Sequence, residues 1–79
     1  MQRLYFDIHN GTGLTEDHEG QAMPIEEARA FAIRSIRSIL SDEVLHGMLD
    51  VTGRIEIRTG SGESMGRVKF DEAIEMRLR

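Results

Sequence analysis

Hydrophobic and polar residues alternate along residues 3–9, where Leu4, Phe6 and Ile8 share one side of the chain. This period of two is typical of a strand that is buried on one side only. The chain therefore opens with a predicted β-strand whose apolar side faces a core.

A hairpin arm is predicted to follow this strand. Asn10 and Gly11 favour a tight type I′ turn, because both central residues of that turn need a positive φ. Residues 14–16 and 21–23 then predict short extended segments on either side of a polar corner, residues 17–20.

The next segment has the period of an amphipathic helix. Pro24 suits a first helical position. At 3.6 residues per turn, one side of residues 25–40 collects the apolar residues Ile25, Ala28, Phe31, Ala32, Ile36, Ile39 and Leu40. The pattern continues to His46, which complements the helix dipole, and to Gly47, which favours a left-handed helix end. The polar pair Ser41 and Asp42 leaves open a division into two helices.

Two further strands are predicted after the helix, joined by a Gly-rich loop at residues 59–63. Ile55 and Ile57 alternate with charged residues before this loop, and Val68 and Phe70 do so over residues 67–71. In the C-terminal segment, residues 73–79, Ile74, Met76 and Leu78 also alternate with charged residues. That alternation favours a last strand, with a helical turn as the alternative.

These elements predict an α+β fold, because a single amphipathic helix between strands can bury its apolar side only against a sheet. We expect two layers, with one long helix on a small, mainly antiparallel sheet in the order β-β-α-β-β. No repeat or linker divides residues 1–79, so they form one predicted domain. A domain this small buries only about 60% of its unfolded surface. We therefore expect a homodimer or other homo-oligomer, formed through a free sheet edge or the apolar residues Met48, Leu49 and Val51.

Composition and charge restrict the compartment and the partners. The chain has no Cys, which excludes disulfides, thiolate zinc sites and thiol catalysis. No apolar run approaches the roughly 20 residues of a membrane helix, so we expect a cytoplasmic protein without membrane contact. The net charge of −4 argues against nucleic acid as a partner, because attraction to phosphates depends on cations.

Candidate catalytic and metal-binding residues follow no recognised spacing. The Gly-rich segments 11–13 and 60–66 lack the pattern of a dinucleotide-binding loop, and we expect no cofactor. Asp17, His18 and Glu19 offer oxygen and imidazole ligands, but not at the spacing of a calcium loop. A solvated turn is therefore the main interpretation of this corner, and a divalent-ion site is the alternative. No Ser lies in a nucleophile elbow, and we expect no enzyme activity.

The outward side of the predicted sheet is the best candidate for a binding surface. It collects Arg3, Tyr5, Asp7, His9, Arg54, Glu56, Arg58, Arg67, Lys69 and Asp71. With five cationic and three acidic side chains, this face has a positive net charge on a protein whose net charge is negative. Cross-strand charge pairs explain such a surface without any ligand. An acidic protein or ligand is the first functional alternative, and single-stranded nucleic acid stacking on Tyr5 is the second. The predicted contact residues are Arg3, Tyr5, Arg54, Arg58 and Arg67.

Four segments carry a family resemblance: RLYFDIHNGTG (3–13), EDHEGQAMP (16–24), EEARAFAIRSIRSIL (26–40) and LDVTGRIEIRTGSGESMGRVKF (49–70). With them, the chain resembles a family of short bacterial proteins classed as a domain of unknown function. The resemblance implies a single α+β domain in a bacterial cytoplasm and implies no activity. The leading hypothesis is therefore a small, non-enzymatic, homo-oligomeric module that binds another macromolecule. A sensor of small ligands or divalent ions at residues 16–19 is the alternative.

Overall fold

The structure, a computed structural model, describes residues 1–78. Its elements are β1 (Gln2–Asn10), β2 (Gly13–Thr15), β3 (Gln21–Met23), α1 (Ala28–Leu45), β4 (Arg54–Thr59) and β5 (Ser64–Lys69). Short 3₁₀ turns at Ile25–Glu27 and Phe70–Glu72 precede α1 and follow β5. The predicted α+β fold, with a strand arm, one helix and a closing hairpin, is confirmed.

The strands form one antiparallel sheet in the order β2-β1-β4-β5, with β3 also paired to β1. Strand β2 pairs with residues 8–10 of β1, whereas β3 pairs with residues 2–4. Both short strands lie on the side of β1 that faces away from β4. The middle of β1 therefore has no strand partner on that side, and the polar corner between β2 and β3 lies beside it.

The core lies between α1 and one face of the sheet. The sheet contributes the buried side chains of Leu4, Phe6, Ile55, Ile57 and Val68, and the helix contributes Ala28, Ala32, Ile36 and Leu40. Phe6 and Phe31 join the layers with ring centroids 4.7 Å apart. This packing follows the two periodicities of the sequence. No helix within residues 1–78 is long and apolar enough to cross a membrane.

The helix is continuous through Ser41 and Asp42, so it does not divide into two. Its predicted end is confirmed: Gly47 has a φ of 78°, and the Met48 N–H donates to the Glu43 carbonyl at 3.0 Å. This is the pattern of a Schellman cap. His46 Nδ1 lies 2.8 Å from the Asp42 carbonyl. The predicted start at Pro24 is wrong: Pro24 is extended (ψ 143°) and precedes the 3₁₀ turn Ile25–Glu27, and α1 begins at Ala28.

The predicted type I′ turn at Asn10 and Gly11 is wrong. Asn10 is already paired with Gly13, so the two residues between them form the turn, and the positive φ of 117° falls on Gly13. The reason is the Asn10 side chain. Its Oδ1 accepts hydrogen bonds from the N–H and the hydroxyl of Thr12, at 3.0 and 2.6 Å, which holds Asn10 in front of the turn.

The predicted last strand is also wrong: residues 73–78 form no strand, and residue 79 lies outside the described residues. The fully buried Phe70 is the last residue bonded to the neighbouring strand segment, through its N–H to the Gly53 carbonyl at 2.9 Å. The chain then leaves the sheet in a 3₁₀ turn, in which the Ala73 N–H donates to the Phe70 carbonyl at 3.1 Å. Arg37 Nε then donates to the Ala73 carbonyl at 2.7 Å. Asp71 lies in this turn and leaves the outward face.

Candidate functional site

No helix or strand of the described residues packs on the sheet face opposite α1, here called the outer face, but the polar corner lies against part of it. Register places side chains of adjacent strands next to each other, as in the pairs Tyr5–Arg58, Asp7–Glu56, His9–Arg54, Glu56–Arg67 and Arg54–Lys69. With Arg3 it holds five cations and two carboxylates, a net of +3 on a chain of −4. The five predicted contact residues all lie on this face.

One half of the outer face consists of Arg3, Tyr5, Asp7 and Arg58 and is here called the locked half, because Arg58 binds the residues around it. Its Nε donates to Asp7 Oδ2 at 2.6 Å, and its Nη2 donates to the Asp17 carbonyl at 2.9 Å. The guanidinium also lies over the Tyr5 ring, 4.8 Å from the centroid. The Asp7 side chain is only 11% exposed, so removal of Arg58 would leave a carboxylate without its cation in a largely dry position. Arg58 is therefore a structural residue.

Asp17 connects the polar corner to the middle of β1. Its Oδ2 accepts the Phe6 N–H at 3.1 Å, and its Oδ1 accepts the N–H groups of Glu19 and Gly20 at 3.1 and 2.9 Å. The Asp17 N–H in turn donates to Asp7 Oδ1 at 2.9 Å. The Phe6 N–H lies where β1 has no strand partner, so the Asp17 carboxylate supplies the acceptor that a neighbouring strand would otherwise supply.

The environment keeps both of these carboxyl groups ionised. Burial raises the pKa of Asp7, but the hydrogen bond from Arg58, that from the Asp17 N–H and the charges of Arg58 and His9 outweigh it and hold the pKa below 3.8. Burial likewise raises the pKa of Asp17, and three backbone N–H donors hold it below the same value. Carboxylates occupied in this way at neutral pH are acceptors and not proton donors.

Arg3 and Tyr5 belong to the locked half as well. Arg3 Nη1 donates to the carbonyls of Glu19 and Gly20 at 2.8 and 3.3 Å. A Cβ on Gly20 would lie 2.9 Å from Tyr5 Cε2 and 2.9 Å from Arg3 Cγ, so only Gly lets the corner approach these side chains. The two residues hold the arm against β1.

The other half of the outer face consists of Arg54, Glu56, Arg67 and Lys69. It is here called the open half, and its net charge is positive. Arg54 Nε lies 2.8 Å from Glu56 Oε1, and Arg67 Nε lies 3.6 Å from the same oxygen. Lys69 makes no ion pair with any of residues 1–78. This half therefore holds three cations and one carboxylate, and only Arg54 and Arg67 contact that carboxylate. Arg54 and Arg67 side chains are 42% and 65% exposed. Lys69 is missing from the predicted contact residues, although its alternation with Val68 placed it on this face.

The polar corner has few side-chain groups that are free to bind a metal ion. Both oxygens of Asp17 accept backbone N–H groups, while His18 and Glu19 are exposed. Within residues 1–78 there is no group of three or more His, Asp or Glu side chains that could hold an ion. The ion-sensor alternative at Asp17, His18 and Glu19 therefore stays a prediction without geometric support.

Comparison with known proteins gives one match. A family model described as a domain of unknown function, DUF6894, matches residues 3–71. No curated protein and no solved structure matches the chain. The matched range runs from β1 through β5 and includes both halves of the outer face.

Proposed function

We propose that this chain, which belongs to the DUF6894 family, is a non-enzymatic interaction module that binds an acidic segment of another protein. The binding surface is the open half of the outer face: Arg54, Arg67 and Lys69. The observation that carries the proposal is the excess of cations in this half: Arg54 and Arg67 share Glu56, the carboxylate between them, and Lys69 makes no ion pair with any of residues 1–78. Two positive charges are left for an external partner, on a protein whose net charge is negative.

An acidic protein segment fits this surface better than nucleic acid does. Modules that bind single strands stack bases on exposed aromatic rings. The Phe, Tyr or Trp side chain on the described outer face, Tyr5, is covered by the Arg58 guanidinium. The net charge of −4 would also repel a long polyanion, whereas a short acidic segment meets only the local positive field.

The test is binding of a fluorescent oligoglutamate peptide, measured by anisotropy at low and at physiological salt. In the double variant Arg67→Glu/Lys69→Glu we expect affinity to fall by about tenfold or more. The matched control is Arg34→Glu/Arg77→Glu, which changes net charge equally at exposed positions away from the sheet face. We expect the control to change affinity by less than about twofold, because at physiological salt exposed charges more than about 8 Å from the ligand are largely screened.

Equal losses in the two double variants would overturn the proposal, since they would reflect net charge alone. A protein that bound a single-stranded oligonucleotide but not oligoglutamate would overturn it too. Circular dichroism of each variant shows that the comparison is made between folded proteins.

Self-association is a second part of the proposal. Large apolar side chains are exposed at the end of α1 and in the segments after it: Val44, Leu45, Met48, Leu49 and Met76 are all at least half exposed. Four of them, Val44, Leu45, Leu49 and Met76, line a groove that also contains Leu40 and Ile74. Val51, the third residue of the predicted surface, is only partly exposed. Sedimentation at high concentration tests this part, and a species of only 9.0 kDa throughout would contradict it.

A further inference from the structure

The free edge of the sheet, strand β5, presents an ordered set of unpaired backbone groups. Within residues 1–78, β5 pairs with β4 only. In an antiparallel ladder, the N–H groups of successive residues point alternately to the two sides of the strand. The hydrogen bonds of the sheet therefore decide which residues of β5 face outward.

The direction follows from Phe6. Its N–H points away from β4, towards Asp17, so Phe6 and its partner Ile57 do not exchange hydrogen bonds. The N–H of Ile57, and that of Ile55, must then point towards β5. Val68 pairs with Ile55 and points its N–H back towards β4, as does Phe70, whose N–H reaches the Gly53 carbonyl.

The intervening residues, Arg67 and Lys69, therefore point their backbone N–H and C=O groups to the free edge. The exposed strand groups thus belong to two of the three cations of the open half. A strand that paired with this edge would have its outward side chains beside the charges of Arg67 and Lys69.

A groove runs along the inner side of the same edge, between β5 and the beginning of α1. It is lined by the apolar side chains of Ile25, Ala28, Met65 and Val68. Ile25 is 39% exposed there, and Met65 is partly exposed. A strand added to β5 would place every second side chain over this groove, because successive side chains point to opposite faces.

The charges along β5 favour one kind of added strand over another. Two copies paired through β5 would bring Arg67 and Lys69 of one copy beside the same cations of the other, and like charges opposite each other are destabilising. Arg29 at the groove is already paired with Glu72 at 3.1 Å. The uncompensated cations on the outer side therefore favour an acidic strand over a second copy.

We infer that β5 takes up an extended segment of the partner as an added strand, with acidic residues facing Arg67 and Lys69 and apolar residues over the groove. This inference rests on the proposed function for its acidic partner, and adds backbone pairing at a defined edge. Such strand addition draws its affinity from main-chain hydrogen bonds and its selectivity from alternate side chains.

The first test uses a synthetic peptide of alternating Glu and Val, with amide hydrogen exchange measured by NMR. In the free protein the amides of Arg67 and Lys69 should exchange fast, and those of Val68 and Phe70 slowly. On peptide binding we expect slowed exchange at Arg67 and Lys69. A peptide of the same composition with its Glu and Val residues in separate blocks should protect them less, because it cannot match the two sides of the strand.

The second test removes a single backbone donor. Lys69 has a φ of −79° and a ψ of 149°, which proline adopts without strain, and its N–H makes no bond within the sheet. We therefore expect Lys69→Pro to fold. Lys69→Ala removes the charge but keeps the N–H. The Pro variant should bind the alternating peptide about twofold to tenfold more weakly than the Ala variant, as loss of one hydrogen bond implies.

The outcomes separate the two proposals. Peptide binding with no protection at Arg67 and Lys69, and with equal affinity in the Pro and Ala variants, overturns strand addition but leaves the basic face as the binding surface. Absence of binding for both the alternating peptide and oligoglutamate overturns the proposed function and this inference together.

Discussion

Replacement of Asp17 by Ala tests whether the polar corner is structural. The variant removes the acceptor of three backbone N–H groups, those of Phe6, Glu19 and Gly20. The Phe6 N–H lies beside the partnerless middle of β1, so its loss of a partner costs about 1 to 2 kcal/mol. The two loop N–H groups resemble those at a helix cap, whose loss costs about 1 kcal/mol.

The expected loss is therefore about 2 to 3 kcal/mol. A domain of this size has a total stability of roughly 4 to 12 kcal/mol, so the loss is large. It corresponds to a fall in Tm of about 10 to 20 °C for a domain of fewer than 100 residues. Urea unfolding followed by circular dichroism measures the free energy, and a thermal scan measures the Tm.

Two further variants make the result specific. Asp17→Asn retains one acceptor oxygen and should lie between the wild type and Asp17→Ala. Glu16→Ala removes an exposed neighbouring carboxylate that makes no hydrogen bond with any of residues 1–78, and should cost less than about 0.5 kcal/mol. If Asp17→Ala melted within about 3 °C of Glu16→Ala, the corner would not hold the arm, and the reasoning would fail.

Further predictions concern pH, the closest backbone approach and the locked pair. Because the pKa values of Asp7 and Asp17 lie below 3.8, their contribution to stability is present above that pH and is lost as the pH falls through the folded-state values. Urea midpoints should therefore decrease as the pH is lowered from about 6 to about 2.5, and less steeply in Asp17→Asn. Gly53→Ala would place a Cβ 2.7 Å from the His9 carbonyl and 2.9 Å from Phe70 Cε2, and should cost about 1 to 3 kcal/mol in urea unfolding, whereas Gly60→Ala, with its nearest contact at 3.5 Å, should cost less. Arg58→Lys keeps the charge but cannot bind Asp7 and the Asp17 carbonyl together, so its Tm should fall, while Arg67→Lys should leave Tm unchanged.

The fold could be predicted from the sequence because each main element buries one side only. Strands β1 and β4 repeat their apolar residues with a period of two, and α1 repeats them with a period of 3.6. The failures came at positions where one side chain decides the path of the chain. The Asn10 side chain accepts two hydrogen bonds from Thr12 and shifts the first turn. Phe70 continues the alternation of β5 in the sequence, yet its ring is fully buried and the chain leaves the sheet there in a 3₁₀ turn.

The role of the polar corner could not be predicted from the sequence. Asp17 has the local pattern of a turn residue, because its side chain accepts a hydrogen bond from the N–H of Gly20, three residues later. Its decisive bond to Phe6 depends on a gap that exists only because β2 and β3 pair with opposite ends of β1. Pairing over that distance leaves no periodic signal in a single sequence.

The structure divides the basic residues of the outer face into those that stabilise the fold and those that are free to bind a partner. This division has to be known before function is tested by mutation. Arg58 and Arg67 are equivalent in the sequence, since both are strand cations on the same side. In the structure Arg58 is held by Asp7, Asp17 and Tyr5, whereas Arg67 shares Glu56 with Arg54. Charge reversal at Arg58 would therefore lower stability and binding together, and a loss of capture would say nothing about the surface. Reversal at Arg67 and Lys69 alters the charge of the face and leaves the bonds of the locked half in place, so only that pair of variants can separate recognition from folding.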